Sequence, residues 1–191
     1  MALVFASANI NKVVEIRQIL PDDIELMDLT DIGCTEDIPE TASTIEGNAI
    51  LKANYVTRKF GLDCFADDSG LEVDALNGAP GVYSARFAGD HKNSDDNISE
   101  LLRQMEGKTN RACQFKTVIA LNIDGEQHLF TGIIRGELTL NRTGTSGFGY
   151  DPIFKPDDYD LTFAEIPLEL KSRISHRGKA VAELMEFLQN R

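Results

Sequence analysis

Apolar positions along this chain switch between two periods, and the switches outline its elements. Residues 3–6 (LVFA) form a short apolar run that reads as a buried strand. A polar stretch, SANINK (residues 7–12), follows. Val13, Ile16, Ile19 and Leu20 then recur at helical spacing until Pro21 stops the helix. Residues 24–29 read as a second strand. Ser43-x-x-Glu46 has the form of a capping box, and behind it Ile45, Ala49, Ala53, Val56 and Phe60 make one helical stripe. Residues 62–66 and 71–76 read as two further strands, the second closed by the turn signal Asn77-Gly78. Ile98, Leu101, Leu102 and Met105 give an i, i+3, i+4, i+7 helix. Residues 113–123 and 128–140 flank Asp124-Gly125, which predicts a long hairpin. A glycine-rich loop, GTSGFGYDP (residues 144–152), comes next. The last helix follows SHRG (residues 175–178), with Val181, Leu184, Met185 and Leu188 on its core face.

Strands and helices that alternate early, with a hairpin in the middle, predict an α/β protein built on a mixed sheet. The 191 residues suit one domain over residues 1–191, with room for two lobes, and a chain this long buries roughly 70% of its extended surface without a staple. Cys34, Cys64 and Cys113 are odd in number and widely spaced, so neither a disulfide framework nor a structural zinc site is expected. The start of the chain lacks the charge and apolar length of a secretory signal, and no 18-residue apolar run occurs. The expectation is a cytoplasmic protein. A net charge of -12 argues against broad contact with nucleic acid or an anionic membrane. It leaves room for a small anion held by a local basic pocket or through a metal ion.

Several motifs fail on inspection. Gly107-Lys108-Thr109 lacks the upstream glycine of a phosphate-binding loop, because Leu102 stands there in a helical stripe. No G-x-G-x-x-G runs from strand into helix. Asp157, Asp158 and Asp160 read as a solvated acidic loop, and His91 and His128 as structural or surface residues.

Four polar clusters at element ends survive. SANINK begins a helix whose free N–H groups suit phosphate, with Asn9 and Lys12 beside them. Glu40 lies in a loop before the second helix. Asp67-Asp68-Ser69-Gly70 ends an apolar strand and offers oxygen ligands of the kind Mg²⁺ takes from one or two protein carboxylates. On a regular strand the two aspartates would face opposite ways, so either the chain turns at Ser69-Gly70 or the pair divides its roles. The fourth cluster is FGYDP (residues 148–152), Lys171 and SHR (residues 175–177). Phe148 and Tyr150 could stack on a planar ring, and His176 and Arg177, read as cations in a helix's first turn, oppose its dipole unless an anion or acceptor binds there. Together these are the groups that a nucleotide with Mg²⁺ requires.

SANINK, ET…GNAxLKA (residues 40–53), ADDSGLEVDALNGAPGVYSARF (66–87), GTSGFGYDPIF (144–154) and EIPLELKSRISHRGKA (165–180) resemble, in order and along the whole chain, the inosine/xanthosine triphosphate pyrophosphatase family. The resemblance implies an elongated mixed sheet flanked by helices, two lobes with a central cleft, and a homodimer. It implies Mg²⁺-dependent hydrolysis of nonstandard purine nucleoside triphosphates (ITP, dITP, XTP) to the monophosphate and pyrophosphate. By position, Ser7, Ala8, Asn9, Ile10, Asn11 and Lys12 would hold the triphosphate. Glu40 and Asp68 would bind the metal, with Asp68 also the base for the attacking water and Asp67 an orienting group. Ser69 would touch the substrate. Phe148, Gly149, Tyr150 and Asp151, with Lys171, His176 and Arg177, would form the nucleoside pocket. Arg177 would donate to the 6-oxo group, so Arg177→Ala is expected to weaken ITP use far more than folding. The chain departs from many bacterial relatives at Ile45-Glu46-Gly47-Asn48, where a glutamate usually stands in place of Gly47.

Overall fold

The structure, a computed structural model, describes residues 1–21 and 23–191. Strand β1 (Ala2–Phe5) feeds helix α1 (Ile10–Arg17), and β2 (Glu25–Met27) returns beside it. Helix α2 (Ile45–Phe60) leads into β3 (Cys64–Val73). Helix α3 (Ser94–Gln104) precedes the hairpin of β4 (Ala112–Ile123) and β5 (Glu126–Leu138). A short β6 (Phe154–Pro156) and helices α4 (Leu168–Ile174) and α5 (His176–Gln189) complete the fold. The six strands form one sheet in the order β2-β1-β3-β4-β5-β6. β1 runs parallel to β2 and β3, and the remaining pairs are antiparallel, so the predicted mixed sheet is present. Asp124 and Gly125 both take positive φ, 50° and 81°, as a tight two-residue hairpin turn requires.

β3 corrects the reading of two strands around a turn. It is continuous through Asp67, Asp68, Ser69 and Gly70, which pair in register with Ile119, Val118, Thr117 and Lys116 of β4. Gly70 is small for packing, not for turning: a Cβ there would collide with the Gly81 carbonyl of the 3-10 segment Gly81–Arg86. The start of α2 is also one residue later than the capping box placed it. Thr44, not Ser43, is the N-cap, accepting from the Gly47 N–H at 3.0 Å, and Glu46 pairs with Lys116 instead of reaching back. Gly47 has a packing reason, since a Cβ there would lie 2.6 Å from the Ala42 methyl. Helix α4 escaped sequence reading because seven residues behind Pro167 are too few to show a period.

Three apolar clusters follow from the layers. On one sheet face Ala49, Ala53 and Val56 of α2 cover Ala66, Val118 and Ala120. On the other, Val181 and Leu184 of α5 cover Phe65, Ile119 and Leu121. Beyond them the far ends of β3 and β4 enter a second lobe, where Leu71, Val73 and Phe115 pack with Ile98, Leu101, Phe154 and Phe163. The long strands span both lobes, and the cleft lies between. β1 pairs with β3 only at Val4↔Cys64 and Phe5↔Phe65. Past that point the edge of β3 has no strand partner among the described residues until Glu72 bridges Pro80, and this gap lies beside the carboxyl end of β1, the position where α/β sheets bind ligands. No helix among the described residues is long and apolar enough to cross a membrane.

α5 lies directly on the hairpin at Gly132, where an added Cβ would collide with the His176 carbonyl and sit 2.6 Å from the Ala180 nitrogen. Gly132→Ala is therefore expected to cost roughly 1–3 kcal/mol by overpacking, measured by urea denaturation. A loss within experimental error would show that α5 can lift without consequence.

Candidate active site

α1 brings the first groups. Asn9 caps it, accepting from the Asn11 N–H at 3.0 Å, and the Ser7 hydroxyl accepts from the Asn9 N–H at 3.3 Å. One turn in, the Lys12 ammonium reaches Asp67 Oδ1 at 3.0 Å. The adjacent aspartates of β3 do divide. Asp67, fully buried, meets Lys12 on one side and Arg177 Nε at 3.2 Å on the other. Asp68 turns to α2, where Asn48 Nδ2 and Lys52 Nζ each lie 3.4 Å from its carboxylate. Lys52 also binds Glu40 Oε1 at 2.6 Å. Asn48 further accepts from the Ala42 N–H at 2.9 Å, so one buried amide ties the chain near Glu40 to Asp68.

A second network closes the other end. The Lys171 ammonium is 3% exposed and lies 2.7 Å from Glu15 Oε1 and 2.6 Å from Asp151 Oδ2. The Arg177 guanidinium, 2% exposed, holds Glu15, Asp67 and, at 3.1 Å, the Ser69 hydroxyl. Phe148, half-buried, lies with its ring centre 5.0 Å from the Lys171 ammonium and 5.7 Å from the Arg177 guanidinium carbon. Tyr150 lines the cleft, but its ring belongs to the core of the second lobe and its hydroxyl donates to the Ser84 carbonyl at 2.7 Å.

These neighbours set the protonation states. Burial pushes Asp67 up, but Lys12 and Arg177 hold it well below the usual carboxylate range. Burial raises Asp68, and there Lys52 does not fully offset it. Burial would also raise Glu40, but the Lys52 ammonium brings it below its ordinary value. Burial lowers Lys12, and raises Asp151 despite Lys171. His176 is pushed well below 6.5 by burial and by the Arg177 and Lys171 charges. Its ring stacks on Phe115 at 4.6 Å, and its Nδ1 finds no hydrogen-bond partner among the described residues. The reading of His176 as a cation at the α5 N-terminus is thus corrected: it is neutral. Ser175 caps that helix, accepting from the Gly178 N–H at 3.1 Å.

Most of the predicted site residues converge on one cleft of about 650 Å³, a typical size for a small-molecule site. Ile10 and Asn11 do not line it, because they face outward from the first turn of α1. Sequence reasoning missed Lys52, Glu15 and Asn48. Their signal was a buried-side polar residue: Asn48 and Lys52 flank the apolar stripe of α2, one turn apart, and lysine almost never occupies such a place unless paired. No group of three or more His, Cys, Asp or Glu among the described residues is arranged to hold a metal ion. The two-carboxylate pair of Glu40 and Asp68 still suits Mg²⁺, whose remaining ligands come from phosphate and water, and it already accommodates the Lys52 cation.

Six of the chain's 19 Lys and Arg residues line this cleft: Lys12, Lys52, Arg86, Lys92, Lys171 and Arg177. Among the described residues only five of its 31 Asp and Glu do so, and on a protein of net charge -12 that local excess of cations defines the class, a mixed-sheet α/β protein with a cleft suited to a small polyanion. Comparison makes it specific. The chain belongs to the Ham1 family, whose profile matches residues 3–187. It is 64% identical over 188 residues to a dITP/XTP pyrophosphatase of Flavobacterium johnsoniae, covering 98% of each chain. A dITP/XTP pyrophosphatase of Porphyromonas gingivalis is 51% identical over 188 residues, covering 97% of this chain and 96% of that one. The Ham1 protein of Staphylococcus aureus superposes with a TM-score of 0.91 at 41% identity, over 100% of this chain and 99% of that one.

Arg177 changes one expectation. Its removal leaves Glu15 and Asp67 buried without a partner, so Arg177→Ala is expected to lose roughly 3–5 kcal/mol of stability as well as substrate use. Neutral burial of His176 has a pH consequence. Its folded pKa is depressed, so the stability it contributes is present above about 6.5 and is lost as pH falls and the unfolded chain takes up the proton. His176→Phe keeps a ring against Phe115 and removes that titration. The fall in Tm from pH 6.5 downwards should be shallower in the variant, and an unchanged slope would exclude His176 as its source.

Proposed function

We propose that this chain is a cytoplasmic, homodimeric enzyme that hydrolyses dITP, ITP and XTP to the monophosphate and pyrophosphate with Mg²⁺. The observation that carries the reading is the division of the aspartate pair: Asp68, with a raised pKa, faces the cleft beside Glu40, while Asp67 is spent on Lys12 and Arg177. The relatives are named for dITP/XTP pyrophosphatase activity, which supports the reaction and substrate class of this reading.

The N-terminus of α1, with Ser7, Ala8 and Asn9 at the cleft wall, offers N–H groups and a partial positive charge to the phosphates. Lys12 is held by Asp67 in reach of the same wall and neutralises the leaving pyrophosphate. Glu40 and Asp68 are the residues that would hold Mg²⁺, which when bound supplies charge neutralisation and a water of lowered pKa. Asp68 takes the proton from the attacking water, and its raised pKa brings it nearer the operating range of a general base. At the other end Phe148, Lys171, His176 and Arg177 surround the nucleoside. Three of the five Arg177 N–H groups are engaged by Asp67, Glu15 and Ser69, leaving two for an acceptor. A 6-oxo group satisfies such a donor and a 6-amino group does not, a difference that reaches roughly 10⁴-fold in sites of this kind.

The reaction is checked by incubating the protein with ITP and Mg²⁺ and detecting orthophosphate with and without added inorganic pyrophosphatase. Signal only with the added enzyme is expected. Signal without it identifies a phosphatase, and nucleotide binding with no signal in either arm identifies a sensor. Asp68→Asn should lower kcat by about 10²–10⁴-fold with the fold retained by circular dichroism. Loss in Asp67→Asn but not in Asp68→Asn would reverse the two roles.

A further inference from the structure

Lys52 holds the position between the two carboxylates that would take the metal. Its ammonium lies 2.6 Å from Glu40 Oε1 and 3.4 Å from Asp68 Oδ1, and the side chain is 8% exposed. Mg²⁺ needs carboxylate oxygens at about 2.0–2.1 Å, so it and the ammonium cannot occupy that gap together. Asp68 and the backbone around Glu40 are held without Lys52, although the Glu40 carboxylate itself meets only that ammonium among the described residues. Asn48 holds Asp68 from the other oxygen and bonds the Ala42 N–H, two residues beyond Glu40. A lysine stem is flexible, and the open side of its tip is the cleft, which it lines.

Charge decides when the ammonium leaves. A dication entering alone would take Glu40 and Asp68 from the Lys52 ammonium, and no third His, Cys, Asp or Glu among the described residues is arranged to complete its shell. A polyphosphate in the cleft removes both obstacles, because its oxygens receive the displaced ammonium and supply the metal's remaining ligands. We propose that Lys52 is a resident counter-ion of the Glu40–Asp68 pair that keeps divalent metal out until a polyphosphate arrives, so that metal and nucleotide bind as one coupled event. This inference rests on the proposed metal role of Glu40 and Asp68. By linkage, whatever factor the nucleotide adds to metal affinity, the metal adds to nucleotide affinity.

Binding of Mn²⁺ without nucleotide tests this at pH 8, followed by the electron paramagnetic resonance of the free ion. Wild-type protein should bind weakly. Lys52→Met should bind about tenfold more tightly or better, a modest demand on one unit charge removed at contact distance in a buried site. The double variant Lys52→Met/Asp68→Asn should lose that gain, which places the ion at the carboxylate pair. Equal Mn²⁺ affinity in wild type and Lys52→Met, or a gain that survives Asp68→Asn, would overturn the proposal. If Lys52→Met does not fold by circular dichroism, Lys52→Gln serves with the same expected outcomes. The measurement contains no substrate, so it can fail while ITP hydrolysis stands, and it can succeed in a protein that releases no pyrophosphate.

Discussion

A carboxylate with no exposed surface has to be met by positive charge, and Asp67 is met twice, by Lys12 and by Arg177. That requirement organises the molecule. It pins the first turn of α1 to the middle of β3 and pins the first turn of α5 to the same carboxylate from the other side. Glu15 then joins Arg177 to Lys171, and Lys171 joins Asp151 in the loop of the second lobe. A chain of alternating charges therefore crosses the cleft floor and links elements more than a hundred residues apart in sequence.

The same strand geometry separates two chemistries that one sequence position could not. Successive residues of β3 face opposite sides, so Asp67 is spent on structure while Asp68 is held by the weaker contacts of Asn48 and Lys52. A carboxylate gripped by two cations has its pKa driven down and is a poor base. Its neighbour, buried but less well compensated, has its pKa raised. The Asp67 charge adds to that rise, while Lys52 and Lys12 only partly offset the burial of Asp68.

The elements with enough residues to show a period were legible in sequence. The α2 stripe, the α3 stripe and the Asp124-Gly125 hairpin all appear within a few residues of their expected bounds. The reading failed where glycine has two meanings. Ser69-Gly70 suggested a turn, and Gly70 is small because another segment's carbonyl packs against it, which no local pattern records. Of the site, the motif-bearing loops were legible as cluster ends of the right chemistry, but their partners were not. The local sequence sets Asn48 and Lys52 beside the apolar stripe of α2, but neither there nor at Glu15 does it say which distant group each one meets.

By itself the sequence determined the alternation of strands and helices, the mixed sheet, and the stretches holding phosphate-suited, carboxylate and aromatic groups. These follow from local periodicity and residue type, which neighbouring positions carry in full. Tertiary structure alone decided which aspartate is structural, that His176 is neutral, that Tyr150 belongs to a core, and that a lysine holds the gap between Glu40 and Asp68. Each of those depends on burial and on a charge supplied from a distant part of the chain, and both exist only once the strands have brought those parts within a few ångströms.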